Sequence, residues 1–145
     1  MAFVLSSQMS DAEVEGYMRV FHATVNTLTN SMVVFDARSR SDPDPNERGR
    51  YRAGALGANR DLQLVQAKLQ AFMLGQAMVR APTAVEVATA QELTEKLATQ
   101  LAAQARATAL VTIASKAFAT FSKINAPAAP AAPTPPAPPA GGGGA

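Results

Sequence analysis

The chain has no cysteine and no tryptophan, a single histidine, and only 6% aromatic residues. Without thiols it can form neither disulfides nor thiolate metal sites, which fits a reducing compartment and sets the expectation of a cytoplasmic protein. With so few rings, stability has to come from many small contacts along helices rather than from a few large anchors. Hydrophobic residues reach 48%, but Ala supplies much of that and buries little area per residue. Net charge is also scarce. A balance of +2 over 145 residues is too small for a dedicated nucleic-acid binder. The pI near 9.3 stems from arginines gathered between Arg38 and Arg60. No basic segment precedes Phe3-Val4-Leu5, so a signal peptide is not expected. The longest uncharged run in the helical body, Val20 to Phe35, carries Thr, Asn and His and falls short of a membrane span.

What is present is helix. Thr83-Ala84-Val85-Glu86 is a capping box, in which the Thr and Glu side chains each satisfy an orphan backbone N–H. The following residues, to Ile124, contain no Gly or Pro and are rich in Ala, Leu, Gln and Glu. They read as one helix over 84–124, on the order of 60 Å long. Ser10-Asp11-Ala12-Glu13 is a second box and opens a helix over about 11–37. There Val14, Met18, Phe21, Val25, Leu28, Met32 and Phe35 step by four and three, a heptad seam facing a partner helix. Asp44 as cap, Pro45 at the first helical position and Glu47 closing the box start another helix. Gly49, Gly54 and Gly57 predict a frayed first half and a firm helix only from about Ala58 to residue 80. Leu62, Val65, Leu69, Phe72, Gln76 and Val79 form its seam. Leu64, Met73, Leu74 and Met78 widen the apolar surface, which predicts the most central helix of the fold. Pro82 ends it, and so short a break before Thr83 predicts an antiparallel hairpin between the second and third helices.

The expected fold class is therefore all-α: a long antiparallel hairpin or three-helix bundle with coiled-coil-like seams over residues 1–125. Residues 126–145, almost wholly Pro, Ala and Gly, read as a disordered spacer, with Pro133-Thr134-Pro135-Pro136 a weak PxxP match.

Signals for chemistry are few. Asp42-Pro43-Asp44-Pro45-Asn46-Glu47 begins like a calcium loop, but Glu47 stands where a sharp turn needs Gly and Ala53 where a bidentate Glu is needed. His22 has no second His or Cys to share a metal, and Asp36 has no carboxylate at a defined spacing. Gly54-Ala55-Leu56-Gly57 fits no phosphate or dinucleotide loop. No catalytic, cofactor or metal site is assigned, and no small-molecule substrate. Arg38, Arg40, Arg48, Arg50, Arg52 and Arg60 outnumber three acids in their interval and are candidates for holding anions such as phosphate.

In the long third helix, Leu93, Leu97, Leu101 and Ala105 form one stripe. Leu110, Ile113, Ala117, Phe121 and Ile124 form another, more than a third of a turn away. Val111, Ala114 and Phe118 fill much of the remaining circumference. A helix apolar nearly all round needs cover all round. Either Phe3-Val4-Leu5 folds back over it or another subunit does, and Ala98/Ala102 and Ala105/Ala109 would let helices approach closely. The favoured expectation is a homo-oligomer, or a complex with another helical protein, whose interface includes Leu110, Ile113, Ala117, Phe118, Phe121 and Ile124.

The Ala-rich helices and the Pro/Ala tail resemble those of phasins, the coats of polyester storage granules, which implies association with an apolar surface. Ser7-Gln8-Met9-Ser10-Asp11-Ala12 and the Ala-Gln-Thr helices are similar to the structural proteins of R-bodies, which implies assembly into ribbons. A non-enzymatic assembly protein is the leading expectation, with an amphipathic coat and an arginine-loop nucleic-acid accessory as alternatives.

Overall fold

A computed structural model describes residues 2–127. Among these, four helices make up most of the chain: α1 (Asp11–Ser41), α2 (Pro45–Met73), α3 (Ala84–Ala102) and α4 (Ala107–Lys123). The all-α helical bundle expected from the sequence is what forms, with four helices in it. Two short strands, β1 (Val4–Leu5) and β2 (Met78–Val79), pair antiparallel with Val4 opposite Val79, and Val79 bridges on to Asn125. The Pro/Ala/Gly tail beyond residue 127, with its PxxP match, lies outside the described residues.

The first capping box is made as written. Ser10 Oγ accepts from the Glu13 N–H at 3.2 Å, and Glu13 Oε1 accepts from the Ser10 N–H at 3.0 Å. α1 runs four residues past the expected end at residue 37. The Ser39 and Ser41 hydroxyls donate back to the carbonyls of Asp36 and Ala37, and Arg40 pairs with Asp36. Asp42 precedes Pro43 and leaves the helix, as the residue before proline tends to.

α2 is continuous from Pro45, against the expectation of fraying to Ala58. Tyr51 and Ala58, set among its glycines, are buried and hold this stretch of helix on the core. Gly54 is a point of close approach: a Cβ there would sit 3.0 Å from Val111 and 3.1 Å from Phe35. α2 also stops at Met73 rather than near residue 80. Gly75 takes φ +72°, its N–H bonds the Phe72 carbonyl, and the Gln76 N–H bonds the Ala71 carbonyl, the pair of contacts of a Schellman stop. Gln76 and Val79 therefore belong to the turn and β2, not to a helical seam.

The long third helix is two helices. Between them Gln104 takes φ +57°, with its N–H on the Leu101 carbonyl and the Ala105 N–H on the Gln100 carbonyl. This is the same stop as at Gly75, now with a side chain in the left-handed region at a cost of about 1–2 kcal/mol. The break lets α4 fold back along α3, so that Lys96, Gln100, Thr112 and Lys116 line one shared cleft.

α1 and α2 form the antiparallel hairpin, Tyr17 stacking on Phe72 at one end and Phe35 meeting Tyr51 at the other. α1 and α4 each pack on all three other helices, whereas α2 and α3 scarcely touch. The hairpin expected between the second and third helices is thus not made, and the central helix is α1 rather than α2. Along α1 the seam residues Phe21, Leu28 and Phe35 are buried, but so are Tyr17, Val20, Thr24, Thr27 and Ser31, which widen the stripe to serve three neighbours. Tyr17 is fully buried; its hydroxyl donates to Asn125 Oδ1 at 2.8 Å, and burial pushes its pKa up to about 12 while that bond pulls the other way.

Candidate functional site

The expected oligomer interface lies inside the chain's own core. Leu110, Ile113, Ala117, Phe121 and Ile124 are each no more than 3% exposed, and Phe118 is half-buried against the same core. The physical reason is the break at Gln104: α4 turns back and is covered by α1, α2 and α3. At its far end α4 is tied to the β2 segment. β1 joins β2, Arg80 N–H bonds the Ile124 carbonyl, and Ala126 N–H bonds the Met78 carbonyl. Ala98, Ala102 and Ala109 are exposed and bring no helices together.

Of the six arginines, five have partners of their own, and Arg50 and Arg60 line one cleft between α2 and α4. Arg38 donates to the Tyr51 hydroxyl and to the Ala105 carbonyl, at 3.0 and 3.1 Å. Arg40 pairs with Asp36, Arg48 donates to the Asp42 carbonyl, Arg50 pairs with Glu47 at 2.7 Å, and Arg60 lies 3.6 Å from Asp61. Arg52 is exposed. His22 is exposed too, its ring edge-on to Phe21.

Where polar groups do converge is the contact between the α1–α2 and α3–α4 turns. Glu47 does not close a box at its own helix start. Its buried carboxylate accepts from the Ala107 N–H at 3.1 Å, capping α4, and pairs with Arg50 through the other oxygen. The Arg50 hydrogen bond, the Ala107 N–H and the nearby Arg106 charge hold its pKa below the usual carboxylate range. Arg106 lies 3.5 Å from Glu47 and 3.7 Å from Asp42, with Asp44 at 4.0 Å. The acids that resembled a calcium loop thus face an arginine instead. Glu47 is the residue that sequence reasoning misplaced: the partner 60 positions away leaves no local signal.

A second polar anchor was legible. Thr83 and Glu86 form their box, and Arg80 grips both Glu86 oxygens at 2.7 Å. That bidentate bond, despite partial burial, lowers the Glu86 pKa to about 2.

Several large apolar side chains of α2 and its cap are left exposed. Leu56 is 68% exposed, Leu64 48%, and Met73 and Leu74 71% each. Gly57, Arg60, Leu64, Ala67, Ala71 and Leu74 step by three and four along its outward side. The same face borders a cleft of about 400 Å³ between α2 and α4, kept open by Gly54 and Gly57 and edged by Arg60 and Asp61. Burial pushes the Asp61 carboxyl up, with Arg60 acting against it. No helix of the described residues is long and apolar enough to cross a membrane. No protein-family model, curated protein or solved structure matches the chain.

Proposed function

We propose that the chain is a non-enzymatic helical structural protein that associates with copies of itself through the outward side of α2. The observation that carries this reading is that Leu56, Leu64 and Leu74 stand exposed, with the small residue Ala67 between the last two, on the solvent side of a helix whose other side already lines the core. Isolated exposed apolar residues are ordinary, but Leu56, Leu64 and Leu74 all project from the side of α2 and its cap turned away from Leu62, Val65 and Phe72. The small residues Gly57, Ala67 and Ala71 between them let a second helix approach closely. The flanking charges favour a second copy lying antiparallel across a two-fold axis near residue 64. Such an axis sets Asp61 of each copy opposite Lys68 of the other.

Light scattering or sedimentation of the full chain over a range of concentrations tests this. The mass is expected to rise with concentration and to respond weakly to salt. Leu64→Glu with Leu74→Glu is expected to return the monomer with helicity unchanged, since both side chains are exposed. A concentration-independent monomer in the parent chain overturns the reading. If that monomer is nevertheless retained on hydrophobic droplets, this side of α2 serves an apolar coat instead.

A further inference from the structure

We infer that α4 is an exchangeable element, and that two copies of the chain can pass their α4 helices to one another by straightening the turn at 103–106 into a continuous α3–α4 helix. The inference stands on the turn and is independent of the outward side of α2. Three observations carry it. First, Ala103-Gln104-Ala105-Arg106 contains no helix breaker, and every one of these residues is a helix former. The bend exists only because Gln104 is held at φ +57°, a conformation that residues with side chains adopt reluctantly, and straightening relieves it. Short connections under strain invite exchange of the element that follows them.

Second, what holds the bend closed is not local. Arg38 donates to the Ala105 carbonyl, Glu47 receives the Ala107 N–H, and Arg106 sits among Asp42, Asp44 and Glu47. All of these partners belong to α1, α2 or the turn between them. α4 itself has Arg106 at its cap position, which makes no side-chain cap of its own. Third, everything α4 buries is reproducible in trans. Its apolar face packs on α1, α2 and α3, and its C-terminal end is fastened by Tyr17 to Asn125 and by β2. A second copy offers the same seat. The surface that accepts α4 is therefore the groove α4 now fills, and its occupant in the exchanged form is the α4 of another copy. In that form residues 84–123 make one helix of on the order of 60 Å.

The absence of cysteine makes the test direct. Lys96→Cys and Lys116→Cys are spin-labelled in the full chain, and labelled protein is refolded at high concentration in excess unlabelled protein so that only distances within one chain are read. In the monomer the two labels flank one cleft and are close. In an exchanged dimer they lie 20 positions apart on a single helix, about 30 Å. Arg106→Ala, which frees the bend from three acids, is expected to raise the dimer fraction about tenfold, and Gln104→Gly to lower it. Leu64→Glu with Leu74→Glu is expected to leave the long distance intact while removing any assembly through α2. The inference is overturned if dimers form but keep the short distance, or if neither the parent chain nor Arg106→Ala gives any species with the long one.

Discussion

Two helices of this molecule end in the same way, and only one of them says so in its sequence. α2 stops at Gly75 and α3 at Gln104, each through a left-handed residue with paired hydrogen bonds back to the last turn. At Gly75 the residue permits the geometry at no steric cost. At Gln104 the geometry is imposed, because α4 gains a fully buried face by folding back and the α1–α2 turn supplies groups to hold it. The starts of the following segments differ in the same sense. α3 carries its own cap in Thr83 and Glu86, whereas α4 borrows Glu47 from a helix 60 positions earlier. Local chemistry defines one set of boundaries and tertiary packing the other.

Placing a side chain at the permissive stop should have the largest effect. Gly75→Ala puts a residue at φ +72° and sets its Cβ 2.9 Å from the Ser7 Cβ. Left-handed strain and the displaced Ser7 together are expected to destabilise the fold by about 3 kcal/mol, read as a lower midpoint in urea. Ser6 bonds Ala77 and Phe72 beside this point, so loss of β1–β2 pairing should accompany the change. A midpoint within error of the parent would mean that the turn moves freely, and the contrast with Gln104 would lose its meaning.

How much was legible follows from the same distinction. The two capping boxes, the Asp44-Pro45 start and the buried residues Phe21, Leu28, Phe35, Leu62, Val65 and Phe72 could be read because their signals are local and periodic. The break after Ala102 could not, since Ala, Gln and Arg argue for continuing the helix and only the fold as a whole argues against it. Gly75 was readable in principle as a helix stop, but the run Gln76 to Val79 continued the apolar spacing and concealed it. Folding α4 back also moved the candidate surface. Once Leu110 and Phe121 were inside, the exposed large apolar residues included Leu56, Leu64 and Met73 of α2, which the sequence had placed at the centre, beside Val33 of α1 and Val85 of α3.

The locally capped start is open to acid. Glu86 has its pKa lowered to about 2, first by the Arg80 hydrogen bond, against an ordinary value near 4.5. Because the folded-state pKa is the lower one, this contribution is complete above about pH 4.5 and is lost as pH falls towards 2. With allowance for solvent screening, the loss is about 1–2 kcal/mol. Melting temperature should therefore fall over that range. In Glu86→Gln the fall should be shallower, from a lower plateau at neutral pH. An identical acid slope in both proteins would place the sensitivity elsewhere.

The gentlest change tests the imposed stop and should stabilise the protein. Gln104→Gly removes an exposed side chain that makes none of the hydrogen bonds holding the turn, and it leaves the Schellman contacts, which are backbone only. Relief of the left-handed strain favours the folded state by about 1–2 kcal/mol, and the added freedom of glycine in the unfolded chain takes part of that back. The net gain expected is about 1 kcal/mol in urea or thermal unfolding, opposite in sign to Gly75→Ala although both touch the same position of the same motif. If Gln104→Gly instead destabilises, the bend is not strained, and the reason for its opening disappears with the strain.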